Sequence, residues 1–275
     1  MKTTTLRNGV VMPLVALGTF RTQAQATYDS VRAALRAGYR HIDTATRYQN
    51  EEQVGQAMLD SGIPRDDIFL TTKVYKTEQG YAATKQSFED SLTRLQVEYV
   101  DLFLIHWPTR YETDAATWKA LEELYQSGRA KAIGVCNFTI HHLEHLFQTA
   151  TIKPMVNQVE CHVELQNHPL DAFCKEHGIA LQAYAPLMSF HIQDLLANPS
   201  LQTIATAHQA SVPQIALAWL TMRGWGSLPK STKSERIEEN FHAQTIQLTE
   251  DEMAQIRGLN KARKLYPDAD NIELT

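Results

Sequence analysis

Eight short apolar runs, each separated from the next by a segment of helical periodicity, constrain this chain more than any other feature. The runs are LVALGT, HIDTA, IFLTTKV, YVDLFLIHW, AIGVCNF, MVNQVE, ALQAYAPL and WGSLPKS. Each has the length and composition of a strand, and the intervening segments repeat apolar residues at helical spacing. In AATKQSFEDSLTRLQ, for example, Phe88, Leu92 and Leu95 fall on one face and the charges on the other. AGYRHID, SGRAKAIGV, EHGIALQ and RGWGSLP each carry a glycine shortly before a strand, where a helix C-cap belongs. Ahead of the first run, RNG reads as the turn between two short strands.

Eight strand–helix units within 275 residues match the count and size of an α/β (β/α)8 TIM barrel, here with an N-terminal β-hairpin. The alternative is a doubly wound sheet, which for a nucleotide-binding enzyme normally shows G-x-G-x-x-G after the first strand. The first run ends in LGTF, and that motif occurs nowhere. No Pro/Ser/Gly-rich linker or shift in composition divides the chain, so residues 1–275 are expected to form a single barrel domain.

At 43% hydrophobic the chain can bury a full core. A net charge of −5 from 26 basic and 31 acidic residues provides no basic field for nucleic acid or an anionic membrane. Cys136, Cys161 and Cys174 have neither zinc-site spacing nor the density of a disulfide scaffold, which fits a reduced, cytoplasmic protein. Pro13, Gly18 and Arg21 interrupt the N-terminal apolar stretch and argue against a secretory signal. No uncharged apolar run approaches the roughly 18 residues a membrane helix needs. A monomer is expected. His141 and His145 in HHLEH share a helix face, but no third ligand is indicated, so a solvated helix start accounts for them and no metal is expected.

The expected barrel puts catalytic groups at the C-terminal ends of its strands. Asp43 ends the second strand, Tyr48 follows in the loop, Lys73 ends the third and His106 the fourth. Singly, each has an ordinary reading: a turn aspartate, a loop aromatic, a surface lysine, a satisfied histidine. Together, at corresponding ends of consecutive units, they face one mouth. A lysine away from water needs a counter-charge, which Asp43 can supply. Lys73 near the Tyr48 phenol, at about 4 Å and an effective dielectric near 20, would favour phenolate by roughly 4 kcal/mol. Before desolvation is subtracted, that charge would pull the phenol below its ordinary pKa and make it a general acid near neutrality. His106 would orient the reacting oxygen. The set suits protonation of the alkoxide that hydride reduction of a carbonyl produces.

At this point the chain resembles the aldo-keto reductases over nearly its whole length. The matching stretches are NGVVMPLVALGTF, GYRHIDTATRYQNEEQVGQA, TTKVY, YVDLFLIHWP, GRAKAIGVCNF, NQVECHVELQ and LPKSTKSERIEEN, in the family's order and spacing. The resemblance implies a barrel using NADPH (NADP+), with Asp43, Tyr48, Lys73 and His106 as a catalytic tetrad and Tyr48 as proton donor. It implies that Asn137 and Gln158 hold the nicotinamide carboxamide, that Tyr184 stacks on the ring, and that Gly18, Thr19 and Asp43 line the cofactor channel. Lys230, Ser231 and Arg236 would hold the 2'-phosphate, near a helix expected to start around Ser234, while Glu239 and Asn240 reach the adenine. Cys136 stands where the family commonly has serine, which weakens one contact to the carboxamide. Tyr75 replaces a common tryptophan and Val163 a common proline.

The segment after His106 is short, and few residues follow the last helix, so an open mouth lined by Phe20, Tyr48, Tyr75, His106 and Trp107 is expected. It suits small aldehydes and ketones as substrates. This compact form is similar to the bacterial 2,5-diketo-gluconate and methylglyoxal reductases within that family. Two rival readings are a Schiff-base lyase using Lys73, which would require that lysine to be neutral, and a non-catalytic sensor.

Overall fold

The computed structural model describes residues 1–271. The RNG turn joins β1 (Thr3–Thr5) to β2 (Val11–Pro13) in an antiparallel hairpin, with Gly9 at φ 88. Eight further strands follow: β3 (Leu17–Gly18), β4 (His41–Asp43), β5 (Phe69–Val74), β6 (Leu102–Ile105), β7 (Ile133–Cys136), β8 (Val156–Glu160), β9 (Ala180–Tyr184) and β10 (Gly226–Ser227). Each pairs in parallel with the next in chain order. The two edges meet: Val15 and Ser227 form a parallel bridge, Ser227 N donates to Leu14 O at 2.7 Å and Ala16 N to Ser227 O at 2.9 Å. The sheet therefore curls into the expected (β/α)8 barrel. The runs at 14–19 and 225–231 shorten to two-residue strands, because at this seam only a few backbone bonds keep ladder geometry before the chain turns outward.

Helices wrap the outside. One follows each of β3 to β8: α1 (Ala24–Ala37), α2 (Glu51–Asp60), α3 (Tyr81–Leu95), α4 (Tyr111–Gln126), α5 (Ile140–Phe147) and α6 (His168–Glu176). Three more, α7 (Ile192–Leu196), α8 (Pro199–Ala207) and α9 (Val212–Met222), separate β9 from β10, and α10 (Ser234–His242) and α11 (Glu250–Arg257) follow β10. No helix among the described residues is long and apolar enough to cross a membrane. The α3 stripe of Phe88, Leu92 and Leu95 is buried, and Phe88 meets Phe103 of β6 edge to face at 4.8 Å. Burying each such side chain contributes roughly 1.5–3 kcal/mol. Gly38, Gly128, Gly178 and Gly224, at φ 104, 76, 64 and 78, close helices with the left-handed backbone their sequence positions predict.

Candidate active site

Strand register decides which side chains enter the barrel. Asp43 lies opposite Thr71, and Lys73 opposite Leu104. Since alternate residues share a face, His41 and Asp43 of β4 point inward with Thr71 and Lys73 of β5. His41 Nε2 meets Thr71 Oγ1 at 2.9 Å, and one layer higher Lys73 Nζ donates to Asp43 Oδ1 at 2.5 Å and to Thr44 O at 2.9 Å. Lys73 is 0% exposed and Asp43 3%. Burial is the largest single influence on Lys73 and opposes its charge, but the Asp43 carboxylate, through both its charge and its hydrogen bond, acts with Tyr48 and Cys136 to hold the ammonium above the usual lysine range. Asp43 Oδ2 accepts from Gln158 Nε2 at 2.9 Å, whose other proton goes to Gln182 Oε1 at 3.1 Å.

Tyr48 closes a one-turn 3-10 helix (Thr46–Tyr48) directly after β4. Asn50 anchors this turn: its Nδ2 donates to Thr19 O at 2.9 Å and Thr22 O at 3.1 Å, and its Oδ1 accepts from Thr44 Oγ1 at 2.8 Å. Lys73 Nζ sits 5.2 Å from the Tyr48 ring centroid. The expected lowering of the phenol is not what the fold produces. Burial raises Tyr48 above its ordinary 10.0, and the Lys73 charge offsets only part of that, so the phenol stays protonated at neutral pH. His106, just beyond β6, meets the Tyr48 ring edge to face at 5.5 Å. Burial, reinforced by the charges of Lys73 and Arg47, pushes it well below 6.5, so it is a neutral imidazole. Its Nδ1 is buried and has no hydrogen-bond partner among the described residues. The corner thus holds a neutral phenol, a neutral imidazole and a charged lysine, an arrangement that can donate a proton and steady the phenolate left behind.

The other anticipated residues surround this corner. Gly18 pairs with Asp43 across β3 and β4, and Thr19 bonds Asp43 O through both N (3.1 Å) and Oγ1 (2.9 Å). Cys136 is buried opposite Gln158, and burial drives its thiol well above the usual range. Asn137 donates from Nδ2 to His106 O at 3.0 Å and accepts from the Tyr184 hydroxyl at 2.8 Å. Tyr184 meets Tyr266 edge to face at 5.4 Å, so the C-terminal segment shares this wall. Phe20 lies 5.1 Å from the Tyr48 ring and Tyr75 5.7 Å from His106. Trp107 is half-buried but makes no ring contact among the described residues; its carbonyl accepts from Gln79 Nε2 at 2.7 Å. Beyond β10, Lys230 is exposed, Ser231 is buried and its Oγ accepts from Lys233 N at 3.1 Å, and α10 begins at Ser234 as expected. Arg236 is exposed on its first turn, Glu239 is half-buried and Asn240 buried.

Sequence reasoning missed Asn50 and Gln182, which position others, and Arg47, whose guanidinium lies 5.4 Å from the Tyr75 centroid. Asn50, buried between two strand-end loops, gives no periodic signal, and Gln182 sits inside strand β9, where its partner across the sheet is not readable from the run itself. Arg47 was adjacent to Tyr48 in sequence, and only its placement over Tyr75 and near His106 gives it meaning.

The chain is 47% identical to the 9,11-endoperoxide prostaglandin H2 reductase of Trypanosoma cruzi, over 97% of this chain and 94% of that protein. It is 45% identical to the glyoxal reductase of Bacillus subtilis, over 98% of this chain and 97% of that one. Among solved structures, an aldo-keto reductase, MGS-M4, from a Medee basin deep-sea metagenome library superposes with a TM-score of 0.97 at 49% identity, covering 98% of this chain and 99% of that one. An aldo-keto reductase of Bombyx mori in complex with NADP gives 0.90 at 33% identity, covering 98% and 96%. The aldo/keto reductase family model matches residues 14–261, which span the barrel and the corner built around Asp43 and Lys73, and this chain belongs to that family.

Proposed function

We propose that this protein reduces small aldehydes and ketones to alcohols with NADPH, Tyr48 donating the proton. The observation that carries the reading is the fully buried Asp43–Lys73 pair beneath a protonated Tyr48, with a neutral His106 beside it. When bound, the reduced nicotinamide supplies hydride. His106 donates a hydrogen bond to the substrate oxygen and aligns it with the Tyr48 hydroxyl. As negative charge develops on that oxygen, Tyr48 gives up its proton, and Lys73 stabilises the phenolate. Asp43 keeps Lys73 charged throughout, which opposes the Schiff-base reading, since an imine-forming lysine must be neutral.

The remaining polar side chains fit the cofactor. Gln158 spends both amide protons on Asp43 and Gln182, leaving its Oε1 as acceptor for a carboxamide N–H. Asn137 keeps one amide proton beyond its bond to His106 O, and Tyr184 supplies an aromatic face. Lys230, Ser231 and Arg236 at the start of α10 suit a 2'-phosphate, because a helix N-terminus and a guanidinium both donate to anions. Glu239 and Asn240 stand one turn further on, toward adenine. Gly18 and Thr19 complete the channel wall. The cofactor of the Bombyx mori relative agrees with this choice.

Similarity to a glyoxal reductase supports small dicarbonyls as substrates of this chain, and we extend that class to methylglyoxal, with Phe20, Tyr75 and Trp107 at an open mouth. Keto-sugars of the 2,5-diketo-gluconate type fit the same opening. We read the protein as a cytoplasmic monomer acting on small molecules, without nucleic-acid or membrane partners. The test is NADPH oxidation with a panel of methylglyoxal, simple aldehydes, keto-sugars and a steroid. Methylglyoxal should be turned over more efficiently than the steroid. Failure to turn over any carbonyl would overturn catalysis and leave the sensor reading.

A further inference from the structure

The C-terminal segment runs past the C-terminal ends of β8 and β9, and its described residues reach α5. Lys261 N and Arg263 N donate to Glu164 O at 2.9 and 3.1 Å, and Leu265 N and Tyr266 N to the Glu160 carboxylate at 2.8 and 3.2 Å. The Tyr266 hydroxyl meets Ser189 Oγ at 2.8 Å while its ring rests on Tyr184. A 3-10 turn (Ala269–Asn271) then brings Asp270 to the first turn of α5. There Asp270 Oδ1 lies 3.2 Å from His141 Nε2 and 3.7 Å from His142 Nε2. The absence of a third ligand, which argued against a metal in the sequence, is thus made good from about 130 residues away, and His142 takes the place expected of His145. His145 instead stacks on Tyr111 at 3.7 Å.

We propose that His141, His142 and Asp270 bind one divalent transition-metal ion of the zinc, nickel or copper class, which fastens the C-terminal segment to α5. Imidazole suits zinc, nickel and copper, and zinc also takes a carboxylate oxygen beside two histidines. Donors about 2.0–2.1 Å from a tetrahedral ion stand roughly 3.3 Å apart. The two Nε2–Oδ1 separations bracket that value, and all three donor atoms lie within 4.8 Å of one another.

The surroundings support ligation. Thr139 Oγ1 lies 2.9 Å from His141 Nδ1 and 2.8 Å from His142 Nδ1. One hydroxyl oxygen can therefore accept from both Nδ1–H groups and leave both Nε2 lone pairs facing Asp270, the outer contact that usually fixes a metal-bound histidine. Asp268, held by Lys264 at 2.5 Å, adds a second carboxylate near His142. His141 and Asp270 are each about half exposed, at 49% and 47%, leaving room for water as a fourth ligand. Thr139 N donates to His142 Nδ1 at 3.3 Å, a capping bond of α5 that favours the Nε2–H tautomer and that ligation through Nε2 would give up. Binding would move that proton from Nε2 to Nδ1, within the same neutral ring.

The test uses the full chain without a histidine tag. Zinc chloride or nickel chloride is titrated by calorimetry, and cobalt(II) by its visible absorption. One ion should bind per chain. His141→Ala and Asp270→Asn should each weaken binding by about tenfold or more, the scale set by loss of even an outer-sphere partner. His145→Ala should leave it unchanged. Nitrogen NMR should show His142 protonated at Nδ1 only with zinc bound, and zinc should slow amide exchange across residues 265–271 in the wild type but not in Asp270→Asn. Absence of binding would overturn the site, as would stoichiometric binding that survives both substitutions.

Discussion

The barrel mouth holds two groups of cations under opposite conditions. Lys73 is 0% exposed and locked to Asp43, whereas Lys230, Lys233 and Arg236 stand exposed beyond β10 and at the start of α10. An ammonium out of water must be compensated when the chain folds, so the first charge is fixed in place before any ligand arrives. The exposed charges cost little to hold and act when an anion comes near, through a field that salt screens. The interior group is suited to chemistry at one defined atom, and the surface group to holding a ligand by graded attraction.

The largest effect should come from the atom that the interior charge serves. Tyr48→Phe should lower kcat for aldehyde reduction by about 10² to 10⁴ while cofactor affinity stays nearly constant, because general acid catalysis is worth that much. Steady-state rates beside a fluorescence titration of NADPH separate the two, and wild-type turnover would remove Tyr48 from its role. Lys73→Met should follow, since breaking a buried pair from one side costs about 3–5 kcal/mol. The urea midpoint would report this, and a loss under 1 kcal/mol would mean Asp43 is compensated without Lys73.

Effects at the surface group should be smaller and specific to one cofactor. Unmutated protein should bind NADPH more tightly than NADH, and the double change Lys230→Ala with Arg236→Ala should narrow that preference by about tenfold, as loss of charge-assisted donors implies. Raising the salt concentration should narrow it in wild type too. Equal affinities at the outset would refute the assignment of this segment.

The smallest effect is on pH. Burial holds His41 below its ordinary 6.5, and His106 further still. Both are neutral in the fold but take up protons in the unfolded chain below about 6.5, so acid favours unfolding. Stability should therefore fall as pH drops from about 6.5 toward 5. Denaturation midpoints across that range should show the slope shrinking in His41→Gln. A flat profile would indicate that these rings titrate normally in the fold.

Much of this was legible beforehand because its causes are local. Helix C-caps at Gly38, Gly128, Gly178 and Gly224 announce themselves by a residue type that suits positive φ. Strand order follows from chain order in a barrel, so placing Asp43, Lys73 and His106 at successive strand ends needed only the apolar runs. The net direction of the Tyr48 shift was not legible, for a different reason. Its charge partner could be named from sequence, but how completely loops would bury the phenol could not, and burial proved the stronger influence. The ring contacts that, among the described residues, join Phe20, Tyr48, His106 and Tyr75 without Trp107 depend on rotamers set by several loops at once.

The sequence by itself determined the barrel, its hairpin, its capped helices and the residue types at the strand ends, since periodicity and turn chemistry act over a few neighbouring residues. Only the tertiary structure decided the protonation states of Tyr48 and His106, the hydrogen bonds running from Asp43 through Gln158 to Gln182, and the meeting of Asp270 with His141 and His142. Each of these depends on desolvation or on contact between residues far apart in the chain, and both arise only when the sheet has closed.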